Sequence, residues 1–263
     1  MEEEAKKYLW WGIPIVVVAG LAAALYYGRK HKEEPPVAEQ VQPAPVATAP
    51  DRSANYPIDD GASTAAPLPA LGESDAAVHD SLSGLFGKAI DQFLVPKDIV
   101  RHVVVTIDNL PRKKTSVQMW PVQPTGGLPV VDGQDESLTL SEQNYARYAP
   151  IMALVRNTDT RQVAALYKRY YPLFQQAYVE LGYPEAYFNN RLVEVIDHLL
   201  QTPEVTGPVR LKQPGVFYEF ADASLEERSA GQKLLLRMGP TNAATIKMKL
   251  RELRREVANQ SAG

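Results

Sequence analysis

An uncharged apolar run near the start of the chain constrains its fold more than any other feature. The twenty residues from Tyr8 to Tyr27 contain no charge, and at about 1.5 Å per residue a helix of that length crosses the roughly 30 Å hydrocarbon layer of a bilayer. Tryptophan and tyrosine pairs stand at its two ends, where aromatic rings favour the headgroup level. The run therefore predicts one transmembrane helix over residues 8–28, after a short N-terminal tail at residues 1–7.

The charges that flank this run leave its orientation open. Lys6, Lys7 and the amino terminus on one side nearly balance Arg29, Lys30 and Lys32 on the other, so the positive-inside rule gives no decision. The complete lack of cysteine suits a domain in an oxidising compartment without disulfides, but cytosolic domains can lack cysteine as well. Periplasmic and cytoplasmic placements of the remaining chain are both consistent with these residues.

The segment after the apolar run is rich in proline and alanine. Between Glu33 and Asp75 there are eight prolines and a single aromatic residue, Tyr56. A segment of this composition buries too little apolar surface to offset the entropy of ordering its chain. Residues 29–75 are therefore predicted to form a disordered Pro/Ala-rich linker, which lets the folded part work at a distance from the bilayer.

The charge balance of the remaining chain argues against nucleic acid as a partner. From Asp80 onward, 22 lysine and arginine residues stand against 20 acidic residues. A general nucleic-acid binder shows a basic excess instead. The basic residues of "KMKLRELRRE" alternate with apolar positions, as in a helix that packs on its own domain or on a partner helix.

Helical periodicity dominates residues 76–258, which are predicted to form a mainly α soluble domain. Two patches, "GLPVVDGQDESLTL" and "GPVRLKQPGVFYEFAD", carry turn dipeptides between short apolar runs and predict a minor β-hairpin element. Whether the two patches pair with each other is not decided by the sequence. Residues 259–263 are predicted to be a disordered C-terminus.

Several local signals predict where individual helices begin. Pro96 is a plausible first residue of the helix in "PKDIVRHVVVTIDNL", and Ser141 is placed to cap a later one. Tyr183-Pro184 is expected to open a further helix. Ser224 and Glu227 have the spacing of a capping box for "LEERSAGQKLLLRM".

The usual catalytic and cofactor-binding motifs are missing from the sequence. It contains no HExxH, GxSxG, GxGxxG or P-loop pattern, and without cysteine it can hold no thiolate metal site and perform no thiol catalysis. Glu194 and His198 share one helix face, but a di-metal bundle needs a second such pair, so a surface ion pair or a helix end is the simpler interpretation. No catalytic residue, metal or cofactor is predicted.

Aromatic residues are concentrated between Tyr167 and Pro203, in "YKRYYPLFQQAYVELGYPEAYFNNRLVEVIDHLLQTP". Their helical spacing predicts a buried face, with a ligand groove as the alternative. Tyrosines and arginines outside that face are candidates for a recognition surface, because both residue types are favoured at binding hot spots. The candidate binding residues are Tyr145, Arg147, Tyr148, Tyr170, Tyr171, Tyr183, Tyr187 and Arg191.

Six motifs carry a family resemblance that covers roughly residues 81–257: "VTIDNLPR", "NYARY", "LYKRYYPLFQQAYVELGYP", "FNNRLVEVIDHLL", "YEFADASLE" and "GQKLLLRMGPTN". With them the chain resembles the proteobacterial domain-of-unknown-function family DUF3014. The resemblance implies an N-terminal anchor, a proline-rich linker and a helical domain, with no established activity, cofactor or catalytic residue. It also implies a Gram-negative inner-membrane setting, which favours a periplasmic position for the folded part.

Two functions from different classes are consistent with these features. The first is an inner-membrane-anchored, non-enzymatic interaction or scaffold module that meets an envelope protein. The alternative is a binder or hydrolase directed at peptidoglycan or another glycan, using Glu180 or Glu194 in an aromatic-lined cleft. That chemistry needs two carboxylates about 5 to 10 Å apart and predicts a concave site with one carboxyl group of raised pKa.

Overall fold

The computed structural model describes residues 56–58, 67–114, 119–125, 129–134 and 137–258. All of them belong to one compact unit, Pro50–Gly263. The N-terminal tail, the transmembrane helix expected at residues 8–28 and the C-terminal residues 259–263 lie outside the described residues. Among the helices of the described part, none is both long enough and apolar enough to cross a bilayer.

Helices make up most of the described chain, which confirms the prediction of a mainly α domain. In chain order they are α1 Asp75–Phe86, α2 Ile99–Asn109, α3 Glu142–Ala146, α4 Ala149–Asn157, α5 Thr160–Glu180, α6 Phe188–Leu200, α7 Ala223–Glu226, α8 Ala230–Arg237 and α9 Pro240–Ala258. Two 3-10 turns, Leu71–Glu73 and Lys88–Gln92, flank α1.

The helices α5 and α6 are central to the packing, since each of them contacts both α2 and α9. Their apolar residues recur at helical spacing and face inward: Tyr178 and Phe188 are almost fully buried, as are Val104 of α2 and Val257 of α9. Each such side chain contributes about 1.5 to 3 kcal/mol when it leaves water. Pro172 lies inside α5 and faces outward.

Two small antiparallel hairpins form the β part, as the turn dipeptides predict. Strand β1 Val131–Asp132 pairs with β2 Thr139–Leu140, and β3 Leu211–Lys212 pairs with β4 Glu219–Phe220. The hairpins also join each other: the Leu140 amide donates to the Val209 carbonyl at 2.9 Å, and the Leu211 amide donates to Leu138 at 2.8 Å. The two patches therefore do pair, which the sequence left undecided.

The start of α2 corrects one expectation. The helix begins at Ile99, not at Pro96, and its N-cap Asp98 has a left-handed backbone with φ 51°. The carboxylate of Asp75 accepts hydrogen bonds from the amides of Asp98 and Ile99, at 2.8 and 2.9 Å. A side chain from α1 thus satisfies the first free amides of α2.

Two other helix starts also differ from the predicted positions. The helix α6 begins at Phe188 rather than at Tyr183-Pro184, and its first amide, that of Phe188, donates to the side chain of Gln175 on α5 at 2.8 Å. Ser224 is not a cap, since Asp222 caps α7 by accepting from the Ser224 amide at 2.8 Å. By contrast, Ser141 caps α3 as predicted.

Parts of the predicted linker, residues 29–75, pack on the helical domain. Leu71 is buried in the core formed by α1, α2 and α5. Tyr56, the single aromatic residue of the linker, packs against the cluster shared by α5, α6 and α9. Composition underestimates order at these positions because isolated Tyr and Leu residues can dock on a surface that the rest of the chain has already formed.

Candidate functional site

A buried carboxylate stands where three of the sequence motifs meet. Asp108, near the end of α2, is 2% exposed. Its Oδ1 accepts from Nε of Arg191 at 3.0 Å and its Oδ2 accepts from Nη2 of Arg112 at 2.8 Å. The hydroxyl of Tyr183 lies 3.4 Å from the same Oδ2. Asp108 and Arg112 come from "VTIDNLPR", Tyr183 from "LGYP" and Arg191 from "FNNRL".

This cluster brings together two of the predicted binding residues, Tyr183 and Arg191, but engages them within the fold. Burial acts to lower the pKa of Arg191, while Glu194 and Asp108 outweigh it and raise that pKa above its ordinary value. The ring of Tyr183 stacks on Tyr178 with centroids 4.6 Å apart. Because each charge has a partner of opposite sign, the cluster joins α2 to α6 rather than offering a reactive group.

The three predicted tyrosines of the α5 region lie at different depths. Tyr170 is 3% exposed, so it is not a surface residue; its hydroxyl donates to the Ala77 carbonyl at 3.0 Å. Tyr171 is half-buried and donates to the side chain of Gln175 at 3.0 Å. Tyr187 is 42% exposed and is the most accessible of the predicted tyrosines.

The other predicted residues lie around α3 and the start of α4. Tyr148 belongs to the core, and burial raises its pKa. Arg147 donates to the buried side chain of Asn144 at 2.9 Å. The half-buried ring of Tyr145 packs against Gly239, and burial followed by the nearby Glu142 charge raises its pKa. Of these three residues, only Tyr145 lines a groove.

That groove, of about 860 Å³, runs between residues 202–209 and the first turns of α9. Lys247 forms part of its wall although it is 5% exposed. The ammonium group donates to the Thr202 carbonyl at 2.6 Å and lies 3.7 Å from the Glu204 carboxylate. The lysine therefore ties α9 to the preceding loop.

A shallow groove of about 640 Å³ follows the outer face of α5. It is lined by Ile58, Tyr171, Pro172, Gln175, Gln176, Val179 and Glu180. Glu180 binds Arg101 with an oxygen to nitrogen distance of 2.8 Å, and the hydrogen bonds from Arg101 and Gln176 lower the pKa of this carboxyl group. A general acid in a glycan cleft needs a raised pKa instead.

The predicted pairing of Glu194 with His198 is replaced by two separate contacts. Glu194 binds Arg191 at 2.9 Å, and Nε2 of His198 lies 2.8 Å from the Ser229 hydroxyl. Burial, followed by the charge of Arg191, lowers the pKa of His198. Within the described residues there is no group of three or more His, Asp or Glu side chains arranged to hold a metal ion.

The tip of the β3–β4 hairpin carries the two most exposed large apolar side chains of the described chain. Val216 is 74% exposed and Phe217 is 76% exposed. The base of the same hairpin is fixed, because Phe220 is fully buried and pairs in register with the buried Leu211. The Arg237 guanidinium lies 5.2 Å from the Phe220 ring centre. We call Val216 and Phe217 the hairpin tip.

The hairpin tip was not among the predicted binding residues, although its sequence carries a usable signal. "QPGVFYEF" places two adjacent apolar residues directly after a Pro-Gly turn. Side chains alternate between the two faces of a strand, so Val216 and Phe217 cannot both face the same core. Candidates chosen because they are tyrosine or arginine do not include this pair.

Comparison with known proteins places the chain in a family without a described activity. Residues 99–254 match a family model described as "Protein of unknown function (DUF3014)". No curated protein and no solved structure matches the chain significantly. Any proposal of function must therefore rest on the chain's own residues.

Proposed function

Because this chain belongs to the DUF3014 family, whose description supplies no activity, we propose from its geometry that it is a non-enzymatic interaction module. Its principal contact is the hairpin tip, which enters an apolar pocket of a partner protein. In this proposal residues 8–28 anchor the chain in the bacterial inner membrane, the helical domain lies in the periplasm of a Gram-negative envelope, and the partner is an envelope protein.

The observation that carries the proposal is the exposure of Val216 and Phe217 on a hairpin whose base is rigid. Large apolar side chains that stand together in water mark interaction sites in soluble domains. Burial of these two in a partner would contribute about 3 to 6 kcal/mol. Since Phe220 and Leu211 already fix the hairpin, little further ordering entropy opposes that gain.

Among the predicted binding residues, Tyr187 is the best candidate for a secondary contact. It is 42% exposed, and Val179 and Leu181, a few residues earlier in the chain, are 39% and 38% exposed. Tyr145 and Tyr171 are half-buried and could add polar contacts in the grooves that they line. Tyr183 is half-buried too, but its hydroxyl lies in the Asp108 cluster. Tyr148 and Tyr170 are buried and are not part of the proposed contact surface.

The glycan hydrolase is not favoured by any contact of the described residues. Glu180 lines the shallow α5 groove, but Arg101 lowers its pKa, and Glu194 is paired with Arg191 on an exposed helix face. Incubation of the purified full chain with peptidoglycan separates the alternatives. Release of soluble fragments would indicate a hydrolase, and sedimentation without release would indicate a glycan binder; either result would count against a protein partner.

Site-specific photo-cross-linking in cells tests the hairpin tip. A photoreactive phenylalanine analogue replaces Phe217 in one full chain and, as the matched control, Lys212 in another, because Lys212 lies on the same hairpin and pairs with Glu219. We expect a defined protein adduct at position 217, identified by mass spectrometry, and little or none at position 212. Co-purification of the same partner should fall at least about tenfold in Phe217→Ser, which removes most of the 1.5 to 3 kcal/mol of that ring.

Three outcomes would overturn the proposal. Equal adducts at positions 212 and 217, no adduct at either, or undiminished co-purification with Phe217→Ser would each exclude the tip as the contact. Because Phe217 is 76% exposed, its substitution should leave the melting temperature unchanged. Loss of binding then reports on the surface and not on the fold.

Fusions at the C-terminus test the proposed placement. Alkaline phosphatase is active only outside the cytoplasm, whereas a fluorescent cytosolic reporter is active inside it. An active phosphatase fusion in the membrane fraction is expected. Inactive phosphatase together with a fluorescent cytosolic fusion would move the partner to the cytoplasm.

A further inference from the structure

A short segment of the chain, Tyr56–Ile58, lies on the helical domain as a bound peptide would. Its Tyr56 amide donates to Oδ1 of Asn190 at 3.2 Å, and its Tyr56 carbonyl accepts from Nδ2 of Asn189 at 2.8 Å. Two adjacent asparagines of α6 therefore satisfy both main-chain groups of one residue. Contacts of this kind bind the main chain of a peptide whatever its side chains are.

Asn189, which donates to the Tyr56 carbonyl, is held in place by other helices. Asn189 is fully buried. Its Nδ2 also donates to the Val257 carbonyl of α9 at 2.9 Å, and its Oδ1 accepts from the Tyr167 hydroxyl of α5 at 3.1 Å. Three helices thus orient the amide before any peptide arrives, which lowers the entropy cost of binding.

The side chains of the segment occupy two different environments. The ring of Tyr56 packs against the apolar cluster that includes Ala164 and Val257. Asp197 holds the nearby Arg254 guanidinium through two contacts of 2.6 and 2.8 Å, and the pKa of that guanidinium is raised first by Asp197 and also by the side chain of Tyr56. An aromatic ring with a hydroxyl at its end fits this position, because one end is apolar and the other meets a fixed cation.

Two residues further on, Ile58 lines the shallow groove on α5. The same groove is lined by Tyr171, Pro172 and Val179. Pro57, between the two anchored residues, points outward and is exposed. A proline there limits the conformations of the segment, since its ring holds φ near −65°.

We propose that this face of α5, α6 and α9 is a binding site for peptides of the pattern aromatic-Pro-aliphatic. In the free protein the site is occupied by the chain's own Tyr56–Ile58, and a partner peptide of the same chemistry displaces it. Leu68, ten residues after Ile58 in the chain, packs on the same helical domain. Because the segment belongs to the same chain as its site, it competes with weak ligands of that site.

The site does not depend on the hairpin tip, and it is tested separately. The probe is a fluorescein-labelled synthetic peptide with the sequence of residues 52–59, "RSANYPID". Fluorescence anisotropy compares its binding to the purified full chain and to the same chain carrying Tyr56→Ala and Ile58→Ala. The altered chain should bind the peptide on the order of tenfold more tightly, because its own segment no longer competes.

Specificity is tested with two further changes. A peptide with alanine at the positions of the tyrosine and isoleucine should not bind, and addition of Asn190→Ala to the altered chain should abolish binding of the original peptide. Addition of that peptide should also raise the melting temperature of the altered chain, because a ligand of the folded state stabilises it. If the double variant does not fold, Ile58→Ala alone replaces it, since Ile58 lines an open groove.

Three results would overturn the proposal. The first is no binding of the peptide to the altered chain at millimolar concentration. The second is equal binding of the alanine peptide. The third is a wild-type dimer that the peptide dissociates, which would assign the bound segment to a second copy rather than to its own chain.

Discussion

Arg191 holds Asp108 by both its side chain and its main chain. Nε donates to the carboxylate at 3.0 Å, and Nη2 donates to the carbonyl oxygen of the same residue at 2.8 Å. The first contact compensates a buried charge, and the second satisfies a carbonyl near the end of α2, where helix carbonyls lack partners. One guanidinium from α6 therefore fixes both the position and the termination of α2.

Removal of the Asp108 charge should strongly destabilise the domain. In Asp108→Asn the largely buried Arg191 loses its buried carboxylate partner and keeps only the exposed Glu194, and breaking a buried pair costs about 3 to 5 kcal/mol. Urea unfolding followed by circular dichroism measures the change. The matched control is Asp91→Asn, because Asp91 is half exposed and its pairing with His79 is at the surface. That variant should lose less than about 1 kcal/mol, and equal losses would contradict the structural role.

The Asp108 cluster shows how far sequence reasoning reaches for this chain. Tyr183 and Arg191 were singled out because tyrosine and arginine are hot-spot residues, and both do lie in one cluster. Their actual partner, Asp108, was not singled out, because it is 83 residues from Arg191 in the chain and nothing local indicates that α2 and α6 meet. Periodicity identifies which face is buried, but not which helix covers it.

Helix boundaries are likewise easier to predict where the capping group is close in sequence than where it comes from another helix. Ser141 and the two hairpins were predicted from their own neighbours, since caps and turns are local interactions. The predicted start of α2 is wrong because the side chain that accepts from its first amides, Asp75, lies on another helix. The docking of Tyr56 was missed for a related reason: composition describes a segment alone, whereas Asn189 and Asn190 supply its hydrogen bonds from outside.

Loss of the Asp75 carboxylate should fray the start of α2. Asp75→Ala removes the acceptor for two amides, and loss of a cap typically costs about 0.5 to 2 kcal/mol. Hydrogen exchange should accelerate at the amides of Asp98 and Ile99 more than elsewhere in α2. Asp80→Ala is the control, since its side chain is 86% exposed. Unchanged exchange at both amides would show that water or another group replaces the cap.

Gly239 should not tolerate a side chain. It has φ +83°, and a Cβ at this position would lie 2.6 Å from the ring of Tyr145. Gly239→Ala therefore combines left-handed strain of about 1 to 2 kcal/mol with overpacking of about 1 to 3 kcal/mol. Gly72→Ala is the control, because nothing lies within 4 Å of its Cβ position. A lowered melting temperature is expected for Gly239→Ala alone, and equal values for the two variants would refute the close approach.

The imidazole of His198 should make the domain less stable in mild acid. Burial, followed by the charge of Arg191, lowers its pKa in the folded state. The unfolded chain therefore takes up a proton first as the pH falls through its ordinary value of about 6.5, and the folded state loses stability until the pH passes below the lowered pKa. Above that ordinary value the contribution is fully present.

His198→Gln keeps a polar group that can reach Ser229 but removes this titration, so its free energy of unfolding should fall less between pH 7.5 and 5. At pH 8 the two proteins should show the same slope against pH, since the imidazole is then neutral in both states. Parallel curves across the whole range, measured by urea unfolding at each pH, would show that burial of His198 has no effect on stability.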